Sequence, residues 1–354
     1  MKKQVKLHFY NLLDYCSFLY SEAVHENEIF VLERENEVFN NYKIIDSMKE
    51  VNSGCVDKVL HKASNSIRSM KTIINESQDT FQIYLFNEIS IHKRLDHPNI
   101  LKMYEFLVAS FNYYIIVEYC TFGNLYQMLK RHHHFSELQA AYIIFQLLLA
   151  IRYCHSLNIA HCDLRLENIQ LKSIRNKSYY NIKLSNFESA KLIEKNAFLQ
   201  TPVGSLFYIA PEILKTCYNE KCDIWSIGII LYVLLTGTSP IQVNNNEIYQ
   251  KILIYNFNKE DPNLKAFNIS EEAKNFLSKL IEQRIEIRYT AEQALNDEWF
   301  KKLQIKEKLY PNSKTRFKEK IENIIIKTKN NEFKKLQRIA IALLTNNIPI
   351  TGEI

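Results

Sequence analysis

At 354 residues and 41.9 kDa, with 47% hydrophobic and 24% charged residues, the chain can bury one large core or two modest ones, and a wholly disordered polymer is excluded. The formal charge of +6 is uneven: residues 301–340 carry +9 and the remainder about −3, and this basic tail has few aromatics, so a nucleic-acid partner is not expected. The seven cysteines, Cys16, Cys55, Cys120, Cys154, Cys162, Cys217 and Cys222, form no CxxC pair and no Cys/His metal spacing, which predicts a reduced intracellular compartment, cytoplasmic or nuclear.

Along the chain, residues 1–41 read as an N-terminal extension without a firm pattern. Lys6, His8, Asn11 and Asp14 interrupt any apolar signal core, and Lys2 stands where myristoylation needs glycine. Between residues 42 and 118, short β-rich stretches such as 113–117 surround one helical segment, 80–95, predicting a small sheet with a single helix. Residues 119–303 are dominated by helices. Segment 137–155 is apolar nearly all round, the mark of a helix enclosed by protein, and 224–235 shares that character. The latter falls short of the roughly 18–20 residues needed to cross a bilayer, so an integral membrane protein is not expected. Ser270 before Glu271 and Glu272 predicts a capped helix start. Residues 304–354 form the basic tail.

The segment His161-Cys162-Asp163-Leu164-Arg165-Leu166-Glu167-Asn168 carries the chemistry. Asp163 can orient a substrate hydroxyl and take its proton, Arg165 can neutralise a moving phosphate, and Asn168 can ligate a metal, which together are the demands of phosphoryl transfer. Downstream in fixed order come Ser185-Asn186-Phe187-Glu188, Gly204-Ser205, Ala210-Pro211-Glu212, Asp223 to Gly228, and Arg288. With these motifs in register, residues 42–300 resemble a eukaryotic protein kinase. His97-Pro98-Asn99-Ile100, Tyr208-Ile209-Ala210-Pro211-Glu212 and Ala291-Glu292-Gln293-Ala294-Leu295 are similar to the calcium/calmodulin-dependent group, and most to calcium-dependent protein kinases.

The resemblance implies an α+β, two-lobed kinase fold, with a small β-rich N-lobe (42–118) and a large helical C-lobe (119–303), and ATP at the hinge near Glu118 and Cys120. It implies that Lys71 holds the nucleotide and pairs with Glu88. Gly54 and Val56 belong to the phosphate loop and adenine slot, Glu212 pairs with Arg288, and Asp223 supports the catalytic loop from below. It also implies an inter-lobe stack of Met103, Phe187 and His161, joined by His92 as a satisfied core histidine.

Departures from the family predict impaired catalysis. Asn186 stands where the resemblance implies a metal-binding Asp, and a neutral amide is a poor ligand for a hard cation. Glu188 replaces a glycine, restricting the backbone where the loop must turn. Of the loop glycines only Gly54 remains, with Lys49 and Val51 at the other places, which opens the phosphate cradle. Ser69 and Gln170 replace apolar adenine plates, and an amide there either goes unpaired, admits water or points aside. Cys162 replaces an arginine that reads an activation-segment phosphate, and Asn124 replaces an acid used for basic substrates, although Glu167 is kept.

In the tail, Phe333, Leu336, Ala340, Leu343 and Leu344 fall at helical spacing with Lys334, Lys335 and Arg338 on another face. This resembles the junction of calcium-dependent kinases and suits a calmodulin-like sensor, an anionic surface or packing on its own lobe. After Gly237 the remaining glycine is Gly352, so no EF-hand loop fits and no intrinsic calcium site is expected. These features predict a serine/threonine-kinase-like pseudokinase that scaffolds or regulates an active kinase. The other reading is a slow or metal-atypical kinase that uses ATP with Mg²⁺ or Mn²⁺ on a protein substrate.

Overall fold

The computed structural model describes residues 35–305 apart from 52–53, 75–78, 110–111, 176–178, 194–197, 200–203 and 242–246. The expected tail helix, and most of the N-terminal extension, lie outside the described residues.

Helix α1 (Glu35–Asn41) leads into a five-stranded antiparallel sheet of β1 (Tyr42–Val51), β2 (Gly54–His61), β3 (Ser66–Ile74), β4 (Met103–Val108) and β5 (Asn112–Glu118), in the order β1-β2-β3-β5-β4. Helix α2 (Asp79–His92) crosses between β3 and β4. The two-residue period of the strands gives the sheet two working faces. Met70, Tyr114 and Ile116 join Val38 of α1 and Tyr42 on one face, while Ile73, Tyr113 and Ile115 join Leu85, Phe86 and Ile89 of α2 on the other. The second face also presents Ser69, Lys71 and Val117, with Val56 opposite Lys71 in the register, so the apolar core and the cavity ceiling share one side of the sheet.

Helix α2 stops three residues before the predicted end. Arg94 N–H donates to Ile91 O at 3.0 Å and Leu95 N–H to His92 O at 3.1 Å, a tightened last turn ahead of Pro98.

The larger lobe is built on α3 (Leu125–His132), α4 (Glu137–Ser156), α5 (Lys221–Thr236) and α6 (Glu271–Leu280). Capping boxes at Asn124/Gln127 and Ser136/Gln139 satisfy the orphan N–H groups that start α3 and α4, and Ser270 caps α6 as its sequence predicts. By length and composition α4 could cross a membrane, yet Ala140 to Leu148 are buried among β8 (Tyr179–Leu184) and α5, which explains an apolar surface on every side. Chain crossing between lobes is fixed by Leu101 N–H donating to Leu184 O at 2.8 Å and Leu184 N–H to Asn99 O at 2.7 Å.

Candidate active site

Asp163 lies in the loop between β6 (Ile159–Ala160) and β7 (Ile169–Arg175). The loop is held from beneath by Asp223 in the first turn of α5, whose carboxylate accepts from His161 N–H and Cys162 N–H, both at 2.9 Å, and lies 2.9 Å from His155 Nε2. Burial alone would raise the Asp223 pKa, but His155 and the donors from His161 outweigh it and keep it below the ordinary carboxylate value. Cys162 is buried with φ +63, so the position expected to carry a phosphate-reading arginine is part of the loop's packing.

The Asp163 carboxylate accepts from Ser205 Oγ at 2.8 Å and from Asn168 Nδ2 at 3.0 Å, while Arg165 Nη1 donates to Ser205 Oγ at 2.8 Å. Asp163 is therefore already oriented toward a hydroxyl. The sequence marks Ser205 only by its place after Gly204, a hydroxyl next to a glycine. Gly204 has φ +104, and a Cβ there would sit 2.5 Å from Cys162 O, so glycine lets Ser205 approach the loop. Arg165 Nε is committed to Glu167 at 2.9 Å, and the Asn124 side chain to capping α3, so neither Glu167 nor Asn124 stands free at this rim.

Between the lobes lies a cavity of about 690 Å³ whose walls include Val56, Ser69, Val117, Glu118, Cys120 and Gln170. Glu118 makes ion pairs with Lys183 at 2.8 Å and Lys172 at 3.1 Å, and burial pushes the Cys120 thiol up to about 12. The Gln170 amide donates to Glu167 O at 3.2 Å and to Ser185 Oγ at 3.5 Å. Of the alternatives open for this amide, the unpaired one does not hold for its nitrogen, which is tied to the catalytic loop.

At the cavity's inner end the structure overturns the expected Lys71–Glu88 bond. Lys71 Nζ donates instead to Glu188 Oε1 at 3.0 Å. Glu88 is buried, receives a hydrogen bond from the Phe187 backbone, and leaves its Oε2 without a partner; burial pushes its carboxyl up to about 7. Burial lowers the Lys71 pKa, but the neighbouring Glu88 and Glu188 charges outweigh this and hold it above its ordinary value. Asn87, next to Glu88 and without any signal in the sequence, anchors the other end of this arrangement: its Nδ2 donates to Glu188 O at 3.2 Å and Ala190 O at 2.9 Å.

The loop's positive φ is at Asn186, φ +65, a residue type that tolerates the left-handed region, and not at Glu188. The effect of Glu188 is exerted by its side chain. Asn186 Nδ2 points at Asn168 Oδ1, 3.4 Å away, so two amides meet where a cation would need oxygens. Behind them Phe187 packs, with its ring tilted, between His92, 4.9 Å, and His161, 4.7 Å, with Met103 buried in the adjoining core. His92 is not the satisfied core histidine expected: both ring nitrogens lack partners, and burial lowers its pKa to about 4. In the other lobe Arg288 is fully buried and forks onto both Glu212 oxygens, Nη2 to Oε2 at 2.9 Å and Nη1 to Oε1.

Over residues 18–300 the chain matches the protein kinase domain family. The chain belongs to the protein kinases. It is 34% identical over 282 residues to calcium-dependent protein kinase 4 of Plasmodium falciparum, covering 78% of this chain and 53% of that protein. It is 36% identical over 250 residues to calcium-dependent protein kinase 5 of the same organism, covering 70% and 43%. A probable myosin light chain kinase of Dictyostelium discoideum is 34% identical over 261 residues, covering 71% and 81%. The kinase chain thus spans about half the length of these calcium-dependent relatives.

Kinases use Mg²⁺ and ATP, and the metal and phosphate end of this cavity does not fit that pair. The cation position offers two amides where an Asn and an Asp are required, and the lysine that should meet phosphate already holds a carboxylate. Among the described residues no cluster of three or more His, Cys, Asp or Glu side chains could hold a metal.

Proposed function

We propose that this kinase-fold chain is a pseudokinase: an intracellular binding module that scaffolds or regulates an active kinase and performs little or no phosphotransfer. The observation that carries the reading is the Lys71–Glu188 bond beside the Asn168–Asn186 amide contact. Together these remove the cation for phosphate and the carboxylate for metal, and metal stabilisation of the transferring group is worth several kcal/mol. The basic tail is assigned the partner-binding role, with a calmodulin-like sensor as its proposed contact. Similarity to calcium-dependent kinases supports signalling as the setting.

A second reading, a slow or metal-atypical serine/threonine kinase, is favoured by the intact Asp163–Ser205–Arg165 arrangement, which is ready to accept a hydroxyl proton. Radiolabel transfer from ATP to basic peptides and to the chain itself, with Mg²⁺ and with Mn²⁺, separates the two. The pseudokinase reading expects equal background for the native chain and Asp163→Ala. Transfer that disappears in Asp163→Ala establishes an enzyme.

A further inference from the structure

We propose that the inter-lobe cavity takes a nucleoside or another uncharged planar heterocycle and refuses the triphosphate, because Glu188 itself occupies the anion position on Lys71. The inference rests on the pseudokinase reading and assigns a ligand class to the same site.

Three observations lead to it. The ceiling and rear of the cavity retain Val56, Leu101, Met103, Ile115 and Val117, an apolar wall for a flat ring, with Ser69 and the tied-back Gln170 as polar members beside it. Of the charged side chains among the described lining residues, Lys71 is the one cation, against the carboxylates of Glu88, Glu118 and Glu188. Glu118 is neutralised by Lys172 and Lys183, and the Lys71 charge is balanced by Glu188, so no free cation faces the cavity from the described lining. Finally, Glu188 already stands on the lysine. Its carboxylate sits 3.0 Å from Lys71 Nζ while Asn87 places its backbone through the carbonyl, so a phosphate must displace that carboxylate to reach the lysine.

Displacement also has no reward. A polyanion entering beside Glu188 meets like charge, and with Asn186 in place of a carboxylate there is no metal acid to compensate. A ligand ending at the sugar leaves the Lys71–Glu188 bond intact and gains the apolar contacts alone. An opposing role is chemically distinct: were Glu188 a substitute metal ligand, it would help metal-bound ATP and not exclude it.

Isothermal titration calorimetry of the full chain with adenosine and with ATP, each in chelator and in Mg²⁺ or Mn²⁺, tests the assignment. The native chain should bind adenosine more tightly than ATP in all three solutions. In the isosteric Glu188→Gln variant, checked for a native circular-dichroism spectrum and cooperative melting, the ratio of the ATP Kd to the adenosine Kd should fall at least ~5-fold. Tighter ATP than adenosine in the native chain, no adenosine binding up to ~1 mM, or a smaller fall or any rise of the ratio in Glu188→Gln overturns the proposal. The native-chain comparison decides without any variant. Phosphotransfer lost in Asp163→Ala would end the pseudokinase reading whatever these ratios are, so the two failures are distinguishable.

Discussion

Glu88 is a buried carboxyl with one oxygen unpartnered, facing a lysine already bound elsewhere. Glu88 has its pKa raised from 4.5 to about 7, with burial as the leading cause. The stability linked to its protonation is fully present below pH 4.5 and is lost as pH rises through 7, where the chain must hold a buried charge. His92 works in the opposite sense. Burial lowers its pKa from 6.5 to about 4, so its contribution is present above pH 6.5 and is lost as pH falls through 4. Between pH 4.5 and 6.5 the two trends oppose each other and flatten the native profile. Glu88→Gln, which mimics the protonated acid, removes one of them. The variant should match the native chain near pH 4 and exceed it by roughly 2–4 kcal/mol at pH 8, from the linkage between the two Glu88 pKa values. Urea unfolding at the two pH values measures it; an equal gap at both would mean that Glu88 finds a partner when ionised.

At the level of elements, helix α5 is fitted to α6 through a glycine. A Cβ on Gly228 would lie 2.5 Å from Ile281 Cγ1 and 2.9 Å from Leu280 Cβ, atoms close to the backbone that cannot swing aside. Gly228→Ala gains about 1 kcal/mol of helix propensity but incurs about 1–3 kcal/mol of overpacking, so a net loss in urea unfolding is expected. Elements of this kind were legible in the sequence. An apolar stretch at 137–155 needs an all-round protein environment, the Ser270 cap follows from local residue order, and the buried pair of Glu212 and Arg288, 76 residues apart, was implied by the kinase resemblance. The site was legible only up to its own competitions. Lys71 had one expected acid in the helix that follows it, yet a second, 117 residues away, takes the bond, and nothing local ranks two carboxylates competing for one ammonium group. Gln170 likewise found a carbonyl three residues back and a hydroxyl on the neighbouring loop, whereas its spacing alone left the amide's destination open. The vacant nitrogens of His92 were illegible for the converse reason: a sequence proposes partners more readily than it reveals their absence.

At the scale of the molecule, the framework beneath the catalytic loop is in place among the described residues while the charges of the cavity are rearranged. Asp223 supports the catalytic loop, Phe187 packs between the lobes, and Ser205 and Arg165 set Asp163. A small repair should therefore have a large and non-additive effect. Asn186→Asp alone adds a metal acid but leaves Lys71 occupied and brings another negative charge near Glu188. Glu188→Gly alone frees Lys71 but leaves the cation without a carboxylate. Combined, they supply both groups that a metal-bound triphosphate requires, and residues sharing one network couple by about 0.5–3 kcal/mol. The melting-temperature rise on adding ATP with Mg²⁺ should then exceed the sum of the rises in the two single variants, since ligand affinity for the folded state appears directly as stability. Radiolabel transfer should emerge in the double variant and vanish when Asp163→Ala is added. If the double variant responds no more strongly than Glu188→Gly, the missing metal acid is not what restrains this fold, and the loss must lie in the phosphate loop around Gly54.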